Sequence, residues 1–399
     1  MSAAATGALA GLQVLDLTRV LAGPLCAMML GDMGADVIKV EPPGSGDDTR
    51  TWGPPFINGE AAYFLSANRN KRSMTLNMAV PAGQAILTDL IARSDVLIDN
   101  FKLGTLARWG FDDAWFETNA PRLVRCGITG YGTSGPKAAL PGYDFVLQAE
   151  SGLMSICGEP DGGPTKYGVA IVDVCTGMLA CASILAALNA RERTGRGQKV
   201  ELSLYETSLA MLVNVASSYL AAGRNAGRFG NGHPNIVPYT TYETGKGAIA
   251  LAIGNEGQFA KAAAVLGHPE WAKDPRFSSN RARVENRVVI NGLITEALRQ
   301  DAAEAWLDKL KAVGVPCGRI NSVAEALDDA HTAARDMVET VDHPTIGALK
   351  MLGIPFKFSD TPCAVRRPPP TLGQHTDEIL SELGVGAETI AALRRDKIV

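Results

Sequence analysis

The chain has 399 residues, 46% of them hydrophobic and 20% charged, with a net charge of −4. That length exceeds what a single growing core fills and predicts two structural units, while the near-balanced charge gives neither the basic field of a nucleic-acid binder nor an acidic tail. Seven cysteines show no C-x-x-C pair and no Cys/His cluster at metal-ligand spacing, which fits a reducing, cytoplasmic setting.

Strand-like and helical runs alternate from the start. Residues 12–17 predict a strand, Gly23 and Pro24 open a helix to Met33, and residues 35–40 predict the next strand. The alternation continues with a helix over 81–94, a strand over 96–99, a helix beginning at 105–109 and a strand over 123–128. It predicts an α/β fold with a parallel sheet covered by helices on both faces. In such sheets ligands bind beyond the carboxyl ends of the strands, which points to the segments after Leu17, Val40, Ile98 and Ile128.

Asp173 interrupts the apolar run 169–177. Dehydrating an unpaired carboxylate costs several kcal/mol or raises its pKa, so an acid set among β-branched residues is capped, paired or reactive. As a cap, Asp173 would close a short strand and accept backbone N–H groups of a helix over 174–189. One carboxylate oxygen would still face outward. The apolar stretch 178–188 is too short to cross a bilayer and is followed by Arg191 and Arg193. The first seven residues carry no positive charge, so no signal peptide is expected. Beyond a glycine-rich hinge at 194–197, residues 199–204 predict a strand followed by a long helix. Residues 201–224 are assigned to a linker, and the composition shift at the glycine-rich 221–232 reads as a mobile connection. A second unit carries a strand at 249–253, a helix at 258–266 and helices over 287–313. A final segment holds a proline stretch at 366–370 and helices from Thr376.

Gly130, Gly132 and Gly135 match G-x-G-x-x-G after a strand. A dinucleotide fingerprint must run into a helix, and Pro136 and Pro141 break the stretch where that helix would have to form. This loop therefore predicts exposed amides and Lys137 offered to an anionic ligand. Arg69, Lys71, Arg72, Lys102 and Arg108 also fall near strand ends, and together in crevice loops they suit a ligand bearing several phosphates. All five histidines lie at or beyond position 233, which excludes a Ser-His triad confined to the first half. Gly230 and Gly232 flank Asn231 beside His233. Such glycines either bring amides close to a reacting carbonyl or form a plain turn.

In combination these stretches resemble one family, the class III CoA-transferases (CaiB/BaiF), which includes formyl-CoA:oxalate and carnitine CoA-transferases. The resemblance rests on DLTRVLAGP at 16–24, GADVIKVE at 34–41, GSGD at 44–47 and NRNKRSMTL at 68–76. It continues with residues 100–110 and 130–136, GYD at 142–144, QAESG at 148–152, DVCTG at 173–177 and RPPPTLGQH at 367–375. It implies that Asp173 is the nucleophile and that Val20, Leu21, Arg72, Asn100, Phe101, Arg108 and Lys137 line the CoA site. It also implies that Gly230 to His233 take the place of a glycine loop near the thioester. In formyl-CoA transferases that loop is a run of glycines, whereas here Asn231 and His233 interrupt it.

The implied reaction needs no ATP, metal or permanently bound cofactor, since one thioester replaces another and coenzyme A and acyl-CoA are substrates. A 2-methylacyl-CoA racemase of the same fold uses a histidine thirty residues before the aspartate. Here that position is Tyr143, whose ordinary pKa near 10 makes it a poor base. The stretches DDTRTWGPP at 47–55 and HPNIVPY at 233–239 look most similar to transferases of small dicarboxylic acids that use succinyl-CoA. A buried second carboxylate demands a cation, and Arg50, Arg72 and His233 are the candidates. The implied architecture is a Rossmann-like, doubly wound large domain from 1–200 and 330–399, with a small α/β domain at 225–325 and linkers at 201–224 and 326–329. Each ring-shaped subunit would thread the other in an interlocked homodimer, with neither nucleic acid nor membrane as partner.

Overall fold

The computed structural model describes residues 7–399; the N-terminal segment for which no signal peptide is expected lies outside them, apart from Gly7. The described residues separate into two compact units, one formed by 7–152, 167–216 and 330–399, the other by 153–166 and 217–329.

Six strands make the central sheet of the first unit: β1 (Gln13–Asp16), β2 (Asp36–Glu41), β3 (Lys71–Thr75), β4 (Val96–Asp99), β5 (Val124–Thr129) and β6 (Lys199–Ser203). All neighbours pair in parallel in the order β3-β2-β1-β4-β5-β6. The chain winds outward from β1 in one direction and returns through β4 on the other side, which is the doubly wound Rossmann order with its switch between β1 and β4. Val14, Leu15, Val37, Val96 and Leu97 are buried on the inner strands, as a sheet covered on both faces requires. Leu15, Ile38 and Leu97 share one core with Leu87, Leu90 and Ile91 of helix α2 (Pro81–Arg93) and with Ile379, Leu380 and Ile390 of the two C-terminal helices.

One strand escaped the sequence reading. Lys71 and Arg72 are expected in a crevice-facing loop rich in cations, but residues 71–75 form β3, the edge strand, paired with β2 from Val37↔Lys71 to Glu41↔Thr75. Lys71 and Arg72 look solvated in sequence and are buried here because each meets carboxylates from neighbouring elements. The strand and long helix expected from 199 onward are present, the helix in two pieces: β6 ends at Ser203, whose hydroxyl caps a helix over Leu204–Ala210, and a second helix follows at Val213–Ala222. A hairpin of Val338–His343 and Gly347–Leu352 was also unforeseen.

Helix α4 (Ile171–Thr194) runs for 24 residues, beginning three before the expected start at 174 and ending five beyond the expected end at 189. By length and composition it could cross a membrane, but half of its apolar window is buried within the protein, where Gly177 meets helix α1 (Ala22–Asp32). It occupies the place of a core helix.

The second unit has a three-stranded antiparallel sheet ordered Cys317–Arg319, Ala248–Ala252, Tyr239–Glu243. Its helices pack Phe259, Ile290, Trp306 and Leu310 on Tyr242, Ile249 and Leu251.

Candidate active site

The run before Asp173 forms no strand. Ala170 is the N-cap of α4, and Asp173 lies in the first turn rather than before it. Ala170 offers no capping side chain. Instead Asp144, from helix α3 (Asp144–Glu150), reaches across: one of its carboxylate oxygens accepts the N–H of Val172 at 2.7 Å and that of Asp173 at 3.3 Å. This cap from another element starts the helix three residues earlier than the local pattern implies, overriding the β propensity of Ile171 and Val172. The other Asp144 oxygen accepts Gln148 Nε2 at 2.6 Å, and Gln148 Oε1 accepts the N–H of Tyr167 at 2.9 Å. Both side chains are buried.

Asp173 itself is half-buried, and among the described residues no donor bonds its carboxylate. Burial first, and the negative charge of Asp144 second, push its pKa up to about 7. Tyr63 shares this environment: burial raises its phenol, and the charges of Asp173, Asp144 and Asp47 raise it further. One turn on from Asp173, Gly177 faces the start of α1 so closely that a Cβ would stand 2.6 Å from the Ala22 carbonyl oxygen. Asp173 is thereby held beside the segment that enters α1. Because that oxygen is backbone and cannot swing aside, Gly177→Ala is expected to force the helices apart. The expected loss is about 1–3 kcal/mol of stability with a drop in turnover, read from thermal melts and initial rates.

The segment entering α1 leaves β1 at the switch point. There a cavity of about 250 Å³ opens between Leu17, Arg19, Val40, Pro42, Asp48 and Phe101, where the strand-end rule places a ligand. Val20 adopts φ +73°, a left-handed conformation costly for a β-branched residue. Its surroundings enforce it. Asp47 accepts the Val20 N–H at 3.2 Å, Lys39 donates to the Thr18 carbonyl at 2.8 Å, and the Asn100 amide grips both the N–H and the carbonyl of Arg19. Beneath lie two fully buried ion pairs, Lys39–Asp47 and Lys71–Asp16, each at 2.9 Å. Val20, Asn100 and Phe101 thus meet at this rim, while Leu21 is the N-cap residue of α1.

The cations divide. Arg72 is buried against Asp36, Glu378 and Glu382, so its expected place in a phosphate site is corrected: three carboxylates already use its donors. Arg50 is likewise engaged, bidentate on Glu41 at 2.7 and 2.8 Å and stacked on Phe64. Arg69 is spent on Asp32. Lys137 is exposed and paired with Glu150 above the rings of Tyr131 and Tyr205. Arg108 is exposed, with only Thr105 as side-chain partner among the described residues. Tyr143 is the exposed N-cap residue of α3. The 130s loop runs into turns and no helix follows before α3, in agreement with setting aside a nucleotide fingerprint.

Gly230, Gly232 and His233 belong to the second unit. Gly230 takes φ +56° and donates its N–H to the Gly158 carbonyl, while Gly232 donates to Phe229. His233 donates its backbone N–H to Tyr239, packs its ring on that tyrosine and accepts the Asn235 N–H at Nδ1. Unlike Arg50 and Arg72, it has no acidic partner among the described residues.

Asp144, Gln148, Tyr63, Asp47 and Gly177 received no role in the sequence reading. The i, i+4 spacing of Asp144 and Gln148 was the one visible signal; the partners of the rest come from other elements.

The profile of CoA-transferase family III matches residues 9–376. A succinyl-CoA:glutarate CoA-transferase of Mus musculus is 41% identical over 375 residues, covering 94% of this chain and 86% of that protein. A succinate–glutarate CoA-transferase of Agrobacterium fabrum is 42% identical, covering 94% and 95%. Among solved structures, a CAIB/BAIF family protein from Brucella suis superposes with a TM-score of 0.83 at 43% identity, covering 95% of this chain and all of that one.

Proposed function

Since the chain belongs to CoA-transferase family III and is a CoA-transferase, we propose that it moves coenzyme A from succinyl-CoA to a small dicarboxylic acid through covalent intermediates on Asp173. The observation that carries this reading is the Asp173 carboxylate: half-buried, bonded by no donor among the described residues, and poised near pH 7 beside the switch-point segment. A carboxylate shed of water is a stronger nucleophile.

Its oxygen attacks the thioester carbonyl, the C–S bond breaks, and a mixed anhydride forms with release of the CoA thiolate. The thiolate attacks the Asp173 acyl carbon and expels succinate, leaving an aspartyl-CoA thioester. The acceptor carboxylate then displaces CoA to form a second anhydride. Attack of the thiolate on the acceptor carbonyl releases the new acyl-CoA and restores the Asp173 carboxylate. Every bond broken is matched by one formed, and backbone amides stabilise the tetrahedral oxyanions at roughly 2.7–4 kcal/mol per donor. The active species is proposed to be a homodimer, with a light-scattering mass of two chains.

Incubation with succinyl-CoA followed by hydroxylamine or borohydride should modify the peptide bearing Asp173. Adduct at another residue would overturn the assignment. Succinate, glutarate and itaconate all failing as acceptors while a monocarboxylate works would overturn the substrate class.

A further inference from the structure

Asp144 stands where a helix start would otherwise serve Asp173. A carboxylate in the first turn is ordinarily drawn to the free N–H groups there, which bond it and hold its pKa low. In α4 those of Val172 and Asp173 are already taken by Asp144. Asp144 is in turn fixed by Gln148, whose own carbonyl is tied to the Tyr167 backbone. The chain of contacts has one effect at its end: the Asp173 side chain is left without a donor, next to a like charge.

We propose that Asp144 is a positioning residue for Asp173, using its carboxylate to cap α4 and to deny the helix amides to the reacting carboxylate, with Gln148 holding it in place. It touches no reacting atom. Its action is to keep Asp173 basic and unbonded, hence nucleophilic, while fixing the direction of the helix that carries it. The proposal rests on the reading of Asp173 as nucleophile. The other titratable groups around Asp173 are few. Tyr63 faces it from Ala62–Ser66, with Asp47 beyond, and Cys175 lies two residues along α4. Residues 22–31 of α1 carry no charged side chain. Glu206, on the helix Leu204–Ala210, is turned to Ser203.

The test is a single-turnover pH profile of aspartyl-CoA formation with succinyl-CoA. It is run on the intact enzyme, on Asp144→Asn, which keeps one capping oxygen and loses the charge, and on Gln148→Met, which removes the donor to Asp144. For the intact enzyme the acid limb should have its midpoint near pH 7. In Asp144→Asn the midpoint should move to lower pH, raising the ratio of the rate at pH 5.5 to that at pH 8 by roughly threefold or more. Gln148→Met should move it the same way by less. The KM for succinyl-CoA should stay within about twofold in both, as expected of residues that act only through Asp173. Titration of the 13C-labelled Asp173 carboxyl in the ligand-free protein should shift in parallel. A midpoint unmoved in both variants, with only a lower amplitude, would mean a purely structural cap and overturn the proposal. Absence of an Asp173 adduct in the unaltered enzyme would instead overturn the nucleophile reading.

Discussion

Replacement of Asp173 by asparagine is expected to lower CoA transfer by roughly 10³-fold or more while acyl-CoA still binds. The amide has nearly the shape of the carboxylate but cannot form the anhydride, so the loss should fall on kcat. Isotope exchange between labelled succinate and succinyl-CoA, which needs only the first half-reaction, should vanish with it. Full exchange in the variant would remove Asp173 from the reaction.

The same substitution should stabilise the protein. The folded-state pKa of about 7 lies above the ordinary 3.8, so the folded protein holds this proton more tightly than the unfolded chain. Protonation therefore favours folding: the contribution is complete below the unfolded pKa and is lost as pH rises through about 7. At pH 8 the ionised side chain is a burden, discounted by its partial exposure to about 1–3 kcal/mol. Asparagine carries no such burden. Urea unfolding should show Asp173→Asn more stable at pH 8, with the gap narrowing toward pH 4; equal stability at both would contradict the elevated pKa. In the intact enzyme, exchange should rise with pH through the same region, because only the ionised form attacks.

Lys71→Met is expected to be the most damaging change away from the reacting carboxylate. Lys71 and Asp16 are fully buried, and the ammonium also donates to Asn68 and to the Pro24 carbonyl within α1. Removing one partner strands the Asp16 charge in the sheet interior, a loss of about 3–5 kcal/mol. That is a large share of a total stability of about 5–15 kcal/mol. The double change Asp16→Asn with Lys71→Met should recover part of it, because burying the pair was itself costly. Denaturation midpoints decide: a double variant no better than Lys71→Met would show that the contacts to Asn68 and Pro24, and not the stranded charge, set the loss.

Asp173 was legible because a carboxylate in an apolar run is costly unless it is used, and the switch point was legible because strand and helix periods alternate through the first 130 residues. The fate of the cations was not. Arg50 and Arg72 look like free charges at strand ends, but Glu41 stands nine residues before Arg50, and Glu378 and Glu382 come from the far end of the chain. Only folding brings those carboxylates within reach, and no local period encodes them. Strand β3 was missed for a related reason: its burial depends on ion pairing, which hydrophobic patterning does not register.

Sequence alone determined the α/β class, the crevice beyond β1 and β4 and the position of a costly carboxylate at Asp173, because periodicity and the cost of burying charge act within a few residues. The tertiary structure decided where α4 starts, how Asp144 caps it beside Asp173, and which cations lack acidic partners among the described residues. Those depend on side chains 28 to more than 300 residues apart meeting in space.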